Sequence, residues 1–154
     1  MNTRVRFLIL MAAVTAVVFG ASLAERKQKC IDLVNKAVAH YAKVGADKAF
    51  FDISDPKGQF VDGEYYVFAY DNMGKCLAHG QFKDRVGKNF LESTDPNGVK
   101  IIVQHIKVAK SAKGEGWDEY SFRNPTTKKI EKKTSFIKVV AGKDFFFGSG
   151  TYLE

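Results

Sequence analysis

Two rhythms of apolar and polar residues divide the chain. From Glu25 to Val44 the apolar residues Cys30, Leu33, Val34, Ala37, Tyr41 and Val44 recur at helical spacing, and Gly45 supplies a stop, which predicts one long amphipathic helix. A shorter helix is expected over Asp47 to Ile53, with Phe50 and Phe51 turned to the core, followed by an Asp55-Pro56-Lys57-Gly58 turn. The period then changes to two. Tyr66, Phe68 and Tyr70 fall on one face of a strand, Tyr65, Val67 and Ala69 on the other, and Asp71-Asn72-Met73-Gly74 turns the chain into Lys75 to Gln81, which reads as a β-hairpin.

Phe82 to Pro96 is irregular and polar and closes with Asp95-Pro96-Asn97-Gly98. Val99 to Ala112 reads as a helix with Ile102, Ile106 and Ala109 on one stripe. Three strands follow, Gly116 to Arg123, Glu131 to Val140 and Asp144 to Tyr152, the last two joined by Ala141-Gly142-Lys143. The predicted fold is α+β: a five-stranded antiparallel sheet with a long N-terminal helix and a crossover helix. Phe145, Phe146 and Phe147 cannot all share one face of a strand, so at least one of them is expected at the surface or an interface.

The first residues do not belong to that pattern. Arg4 and Arg6 precede an apolar run from Phe7 to Gly20, broken only by Thr15, and Ser22-Leu23-Ala24 offers small residues for cleavage. This is the form of an export signal, removed after Ala24 to leave residues 25–154 as one domain in the periplasm or secreted; left uncleaved, it would anchor the protein to the membrane. The formal net charge of +7 falls when Arg4 and Arg6 leave with the signal. The remaining lysines are scattered apart from Lys128, Lys129, Lys132 and Lys133, with none of the basic-aromatic signatures of RNA- or DNA-binding modules, so no nucleic acid partner is expected. A basic domain does attract small anions.

Little in the chain points to catalysis. Gly148-Ser149-Gly150 lacks the spacing and the following helix of a nucleophile elbow. His40, His79 and His105 lie in different elements, with no metal-type spacing to one another or to Cys30 and Cys76, so neither a metal nor a cofactor is expected. An oxidising compartment permits a Cys30–Cys76 bridge, but two buried thiols are the alternative.

An ordered set of short pieces carries a resemblance. It comprises Tyr66 to Asp71 with Gly74, Leu77-Ala78-His79, Gly87-Lys88-Asn89, Asp95-Pro96-Asn97-Gly98, Gly116-Trp117, Tyr120, Asn124-Pro125, Lys133, Ser135-Phe136 and Gly148-Ser149-Gly150-Thr151-Tyr152. In this order they resemble the single Cache family of extracytoplasmic sensor domains. The resemblance implies a PAS-like sheet with the long helix packed along it and a pocket on one face for a short carboxylate such as acetate, propionate, lactate or pyruvate. Two departures stand out. Gly80 occupies a place where the family often has proline, which is expected to loosen the start of the loop over the pocket. The chain also ends at Glu154 where a typical sensor continues into an output domain, which implies a module that acts through a partner.

Physical chemistry narrows the pocket residues. A buried carboxylate needs a cation and hydrogen-bond donors. Lys133 is the expected cation, on the strand face of Ser135 and Ile137, with Lys132 and Lys138 pointing the other way. His79 is an expected donor, as are the hydroxyls of Tyr66, Tyr70 and Tyr120, while Trp117 and Phe68 are expected to wall the apolar side. The reading is an exported, non-enzymatic sensor that binds a small organic acid reversibly and signals through a membrane receptor or kinase. The alternatives are a periplasmic carrier or scavenger that does not signal, and an interaction module with a vestigial pocket that forms a homodimer or partner surface through its N-terminal helix.

Overall fold

The computed structural model describes residues 20–153, so most of the expected export signal lies outside the described residues. Helix α1 (Leu23–Val44) starts at Ser22, whose hydroxyl accepts from the Glu25 N–H while the Glu25 carboxylate accepts from Ser22, a reciprocal cap that satisfies the free end of the helix. Gly45 ends α1 with a positive φ of 80° and donates to Tyr41 O. The short α2 (Ala46–Ile53) follows at once. His40 of α1 and Asp52 of α2 pair at 2.8 Å and tie the two helices together.

The predicted strand through Glu64 to Tyr70 is broken in two. Strands β1 (Val61–Asp62) and β2 (Tyr65–Tyr66) form a small separate hairpin, and Val67 N–H turns away to Phe60 O before β3 (Phe68–Asp71) enters the main sheet. Strand β3 pairs with β4 (Cys76–His79) as the expected hairpin. A helix, α3 (Ile101–Ala109), and strands β5 (Glu115–Arg123), β6 (Ile130–Val139) and β7 (Phe145–Tyr152) complete the domain. The antiparallel five-stranded sheet has the order β4-β3-β7-β6-β5.

Placing the last strand in the middle of the sheet explains the phenylalanine run. Phe145 and Phe147 face α1 and α2, Phe146 faces the opposite side under α3, and all three are buried. The expectation that one would be exposed is therefore corrected: a central strand covered on both faces has no exposed side. The sheet separates two cores. Cys30, Val34, Ala37, Val67, Ala69 and Phe147 fill the side under α1, and Tyr66, Phe68, Tyr70, Ile102, Ile106 and Ile137 fill the other. Cys30 and Cys76 are free thiols, one in each core. No helix among the described residues is long and apolar enough to cross a membrane.

Candidate functional site

The site lies on the sheet face away from α1, and two glycines shape its floor. A Cβ on Gly148 would overlap the Phe68 ring, and one on Gly150 would overlap Ser135 Oγ and stand 2.7 Å from Lys133 Cε. The Gly148-Ser149-Gly150 run thus leaves the space in which three neighbouring side chains sit, and that accounts for two glycines in a central strand where glycine is otherwise unfavourable.

Lys133 fills part of that space. Its side chain is fully buried, and Nζ donates to the Tyr66 hydroxyl at 2.9 Å. Aromatic faces surround the ammonium, with ring centroids at 4.0 Å for Tyr66, 4.8 Å for Tyr152 and 5.7 Å for Phe122. Such faces attract a cation but return only part of the hydration it gives up. Lys133 forms no ion pair among the described residues, and burial pushes its pKa down to about 7, against a smaller opposing influence of Cys30 and Glu64. As expected from alternation, Ser135 and Ile137 share its face, and Lys132 turns outward to Glu119.

Beyond Tyr66 lies an internal void of about 20 Å³, bounded among others by His79, Tyr70, Arg85, His105 and Tyr120. That volume holds about one water. His79 comes from the end of β4, and its Nδ1 accepts from the Phe82 N–H at 3.1 Å and, at 3.4 Å, from the Gln81 N–H. With Nδ1 occupied as an acceptor, the proton of the neutral ring sits on Nε2 as a donor. Burial, followed by the charges of Arg85 and Lys133, holds the His79 pKa well below the usual histidine value, so the ring is neutral. Tyr70 accepts from Arg85 Nε at 3.0 Å, and Tyr120 shares a hydrogen bond of 2.9 Å with Ser135. Burial raises the pKa of Tyr66, Tyr70 and Tyr120, so all three keep their protons.

Six of the seven expected site residues come together: Lys133, His79, Tyr66, Tyr70, Tyr120 and Phe68. Lys133 stands one hydrogen bond behind the void wall, reaching it through the Tyr66 hydroxyl. Trp117 is the correction. It lies on the α1 side of the sheet, packed at a tilt against Phe136 with ring centroids 5.5 Å apart and Lys27 over its ring. A strand alternates its side chains, so two residues three apart on β5 cannot share a face, and Tyr120 occupies the cavity side. The expected loosening at Gly80 is also absent. The Gly80 N–H donates to Val67 O, and Val61 and Tyr66 pack where a Cβ would be, 2.7 and 3.1 Å away.

Further residues of the site escaped sequence reasoning. Arg85 sits in the irregular segment, its guanidinium 3.6 Å from the Phe90 ring centroid, and it borders both the inner void and an outer cleft of about 300 Å³. Phe122 and Ile101 are the other shared walls. No periodicity marks Arg85. His105 did have a signal, since it lies three residues after Ile102 and four before Ala109, on the buried stripe of α3. Among the described residues no three of His, Cys, Asp and Glu gather as a metal site.

Comparison with known proteins follows the same lines. The family model for the Cache domain matches residues 22–154. The sensor histidine kinase MctS of Rhizobium johnstonii is 36% identical over 93 residues, which is 60% of this chain and 19% of that protein, so the chain spans about a fifth of this curated relative. Among solved structures, a methyl-accepting chemotaxis protein from Vibrio parahaemolyticus superposes with a TM-score of 0.72 at 23% identity, over 84% of this chain and 89% of its own. A Cache chemosensory domain described for carboxylic acid recognition superposes with a TM-score of 0.68 at 19% identity, over 83% and 93% respectively.

Proposed function

Because this chain belongs to the Cache domain family, we propose that it binds a small organic acid of the acetate, propionate, lactate or pyruvate type and passes the bound state to a membrane receptor or kinase. The family is one of extracytoplasmic ligand-binding sensor domains rather than enzymes, and the chain has sensor-kinase and chemoreceptor relatives. The observation that carries the choice of ligand is Lys133: a fully buried ammonium, caged by rings and without an acid partner among the described residues. A carboxylate in the void, one hydrogen bond away through the Tyr66 hydroxyl, supplies the missing countercharge. The donors suit the same ligand. His79 offers Nε2–H and Arg85 offers its guanidinium, while the Tyr66 and Tyr70 hydroxyls accept from Lys133 and Arg85 and hold those two cations in place. The resemblance in fold to a carboxylic-acid-recognising Cache domain points the same way.

Entry of an acid of four to six heavy atoms requires room beyond one water. The outer cleft supplies it once Arg85 and Phe122, the walls shared by the two spaces, move apart. Periplasmic location, with the export signal either cleaved or kept as an anchor, completes the proposal.

A thermal-shift titration of the protein with acetate, propionate, lactate, pyruvate and small amines tests it. At a hundredfold excess over Kd a ligand adds about 2.7 kcal/mol of stability, which raises Tm by roughly 5–15 °C for a domain of this size. One or more acids should stabilise the wild type and fail to stabilise Lys133→Met. Stabilisation by amines alone would overturn the charge argument, and no shift with any ligand would leave a folded domain with a vestigial pocket.

A further inference from the structure

Several groups bordering the cavity are donors, and one is arranged to accept. His105 of α3 is buried, stacked on Phe68 at 5.3 Å with an interplanar angle of 17°, and it borders the same void as His79. Its Nδ1 meets Asp118 Oδ2 of β5 at 2.5 Å. A carboxylate at that distance fixes a proton on Nδ1, because an ionised carboxylate only accepts. In a neutral ring with that proton on Nδ1, Nε2 carries a lone pair, and no side chain among the described residues donates to it. The Asp118 side chain is only 8% exposed, and its second oxygen has no hydrogen-bond partner among the described residues. Among those residues no other group shares the Asp118 carboxylate, so it serves His105 alone.

The two cavity histidines therefore carry opposite tautomers. Backbone N–H groups from Gln81 and Phe82 hold His79 as an Nε2–H donor, and Asp118 holds His105 as an Nε2 acceptor. Building on the acid-binding reading above, we propose that His105, positioned by Asp118, is the specificity residue of the site, and that it selects 2-hydroxy acids by accepting a hydrogen bond from the ligand's 2-hydroxyl. A carbonyl in that place would face a lone pair, and a hydrogen would leave Nε2 unpartnered. Asp118 is a positioning residue: it acts on the ligand only through the His105 tautomer.

Calorimetric titration of the protein with propionate, pyruvate, L-lactate and D-lactate tests this. Lactate should bind at least roughly tenfold more tightly than propionate and than pyruvate, a factor in keeping with one matched buried hydrogen bond. His105→Asn keeps an N–H for Asp118 and removes Nε2; it should bring the lactate and propionate affinities within about threefold of each other. Asp118→Asn lets the ring take either tautomer, and it should narrow the lactate-to-propionate affinity ratio, whereas a merely structural role would weaken both acids alike. If acids bind the wild type with no preference for a 2-hydroxyl, if pyruvate is preferred, or if the preference survives His105→Asn, the assignment of His105 is overturned while the acid site stands. If no acid binds the folded wild type, both fall together.

Discussion

Replacing Lys133 by methionine should make the protein more stable at neutral pH, although it removes a buried hydrogen bond. The unfolded chain holds this lysine at its ordinary pKa of 10.5, and burial lowers it to about 7 in the folded state. A depressed pKa means that the unfolded chain binds more protons between these two values, so the wild type gains stability as pH rises through that window and loses it as pH falls toward 7. A tenfold difference in proton affinity between the two states is worth about 1.36 kcal/mol, so the folded state carries a cost of roughly 4 kcal/mol at pH 7 that shrinks to about 2 kcal/mol at pH 9. Methionine fills a similar volume without charge, and the lost bond to Tyr66 takes back about 1 kcal/mol. The variant should therefore be the more stable by about 3 kcal/mol at pH 7 and by about 1 kcal/mol at pH 9. Urea denaturation of both proteins at pH 7 and 8 reads the difference directly. The Cys76 thiol, which burial raises to about 11, destabilises the fold as pH climbs past its unfolded value equally in both proteins and cancels. Burial raises the Cys30 thiol to about 11 against the Lys133 charge, so its contribution shifts with the substitution, and the two proteins are compared at pH 7 and 8, below that titration. A wild-type-minus-variant difference that is flat with pH would mean that Lys133 is solvated and paired, and the argument for a ligand carboxylate would fail with it.

Other substitutions probe the backbone around the site. Gly150→Ala puts a methyl against Ser135 Oγ, Lys133 Cε and the Thr134 carbonyl, the last at 2.5 Å and part of the backbone, so it should cost about 2–3 kcal/mol in urea denaturation and abolish acid binding. Gly80→Pro removes the N–H that donates to Val67 O and adds ring atoms against Val61; a loss of about 3 kcal/mol is expected, and a stabilised variant would refute the packing described for this turn. Ser22→Ala removes the cap of α1 and should lower stability by about 1 kcal/mol; the same loss is expected for a protein starting at Glu25 compared with one starting at Gly20, read from their urea midpoints.

Sequence rhythm reveals an element when one face of it decides its burial, and it fails when burial comes from elsewhere. α1 was legible to its last residue because its stripe and Gly45 are local features. The hairpin of β3 and β4 was legible for the same reason, with Gly74 at a φ of 86° in its turn. That β7 would lie between β3 and β6 is not written in any local pattern, and this long-range fact buries Phe145, Phe146 and Phe147 together. Alternation places Lys133 with Ser135 correctly, yet the same rule separates Trp117 from Tyr120, and the expectation from aromatic chemistry that both line one pocket runs against it. Arg85 belongs to a stretch without periodicity whose backbone is fixed by distant partners, Cys76 N–H on Lys88 O and Gly87 N–H on Cys76 O, so no window of sequence contains the reason for its position. The tautomers of His79 and His105 are further still from the sequence. They depend on two backbone N–H groups in a loop and one carboxylate thirteen residues along the chain, and only the folded arrangement turns two identical side chains into a donor and an acceptor.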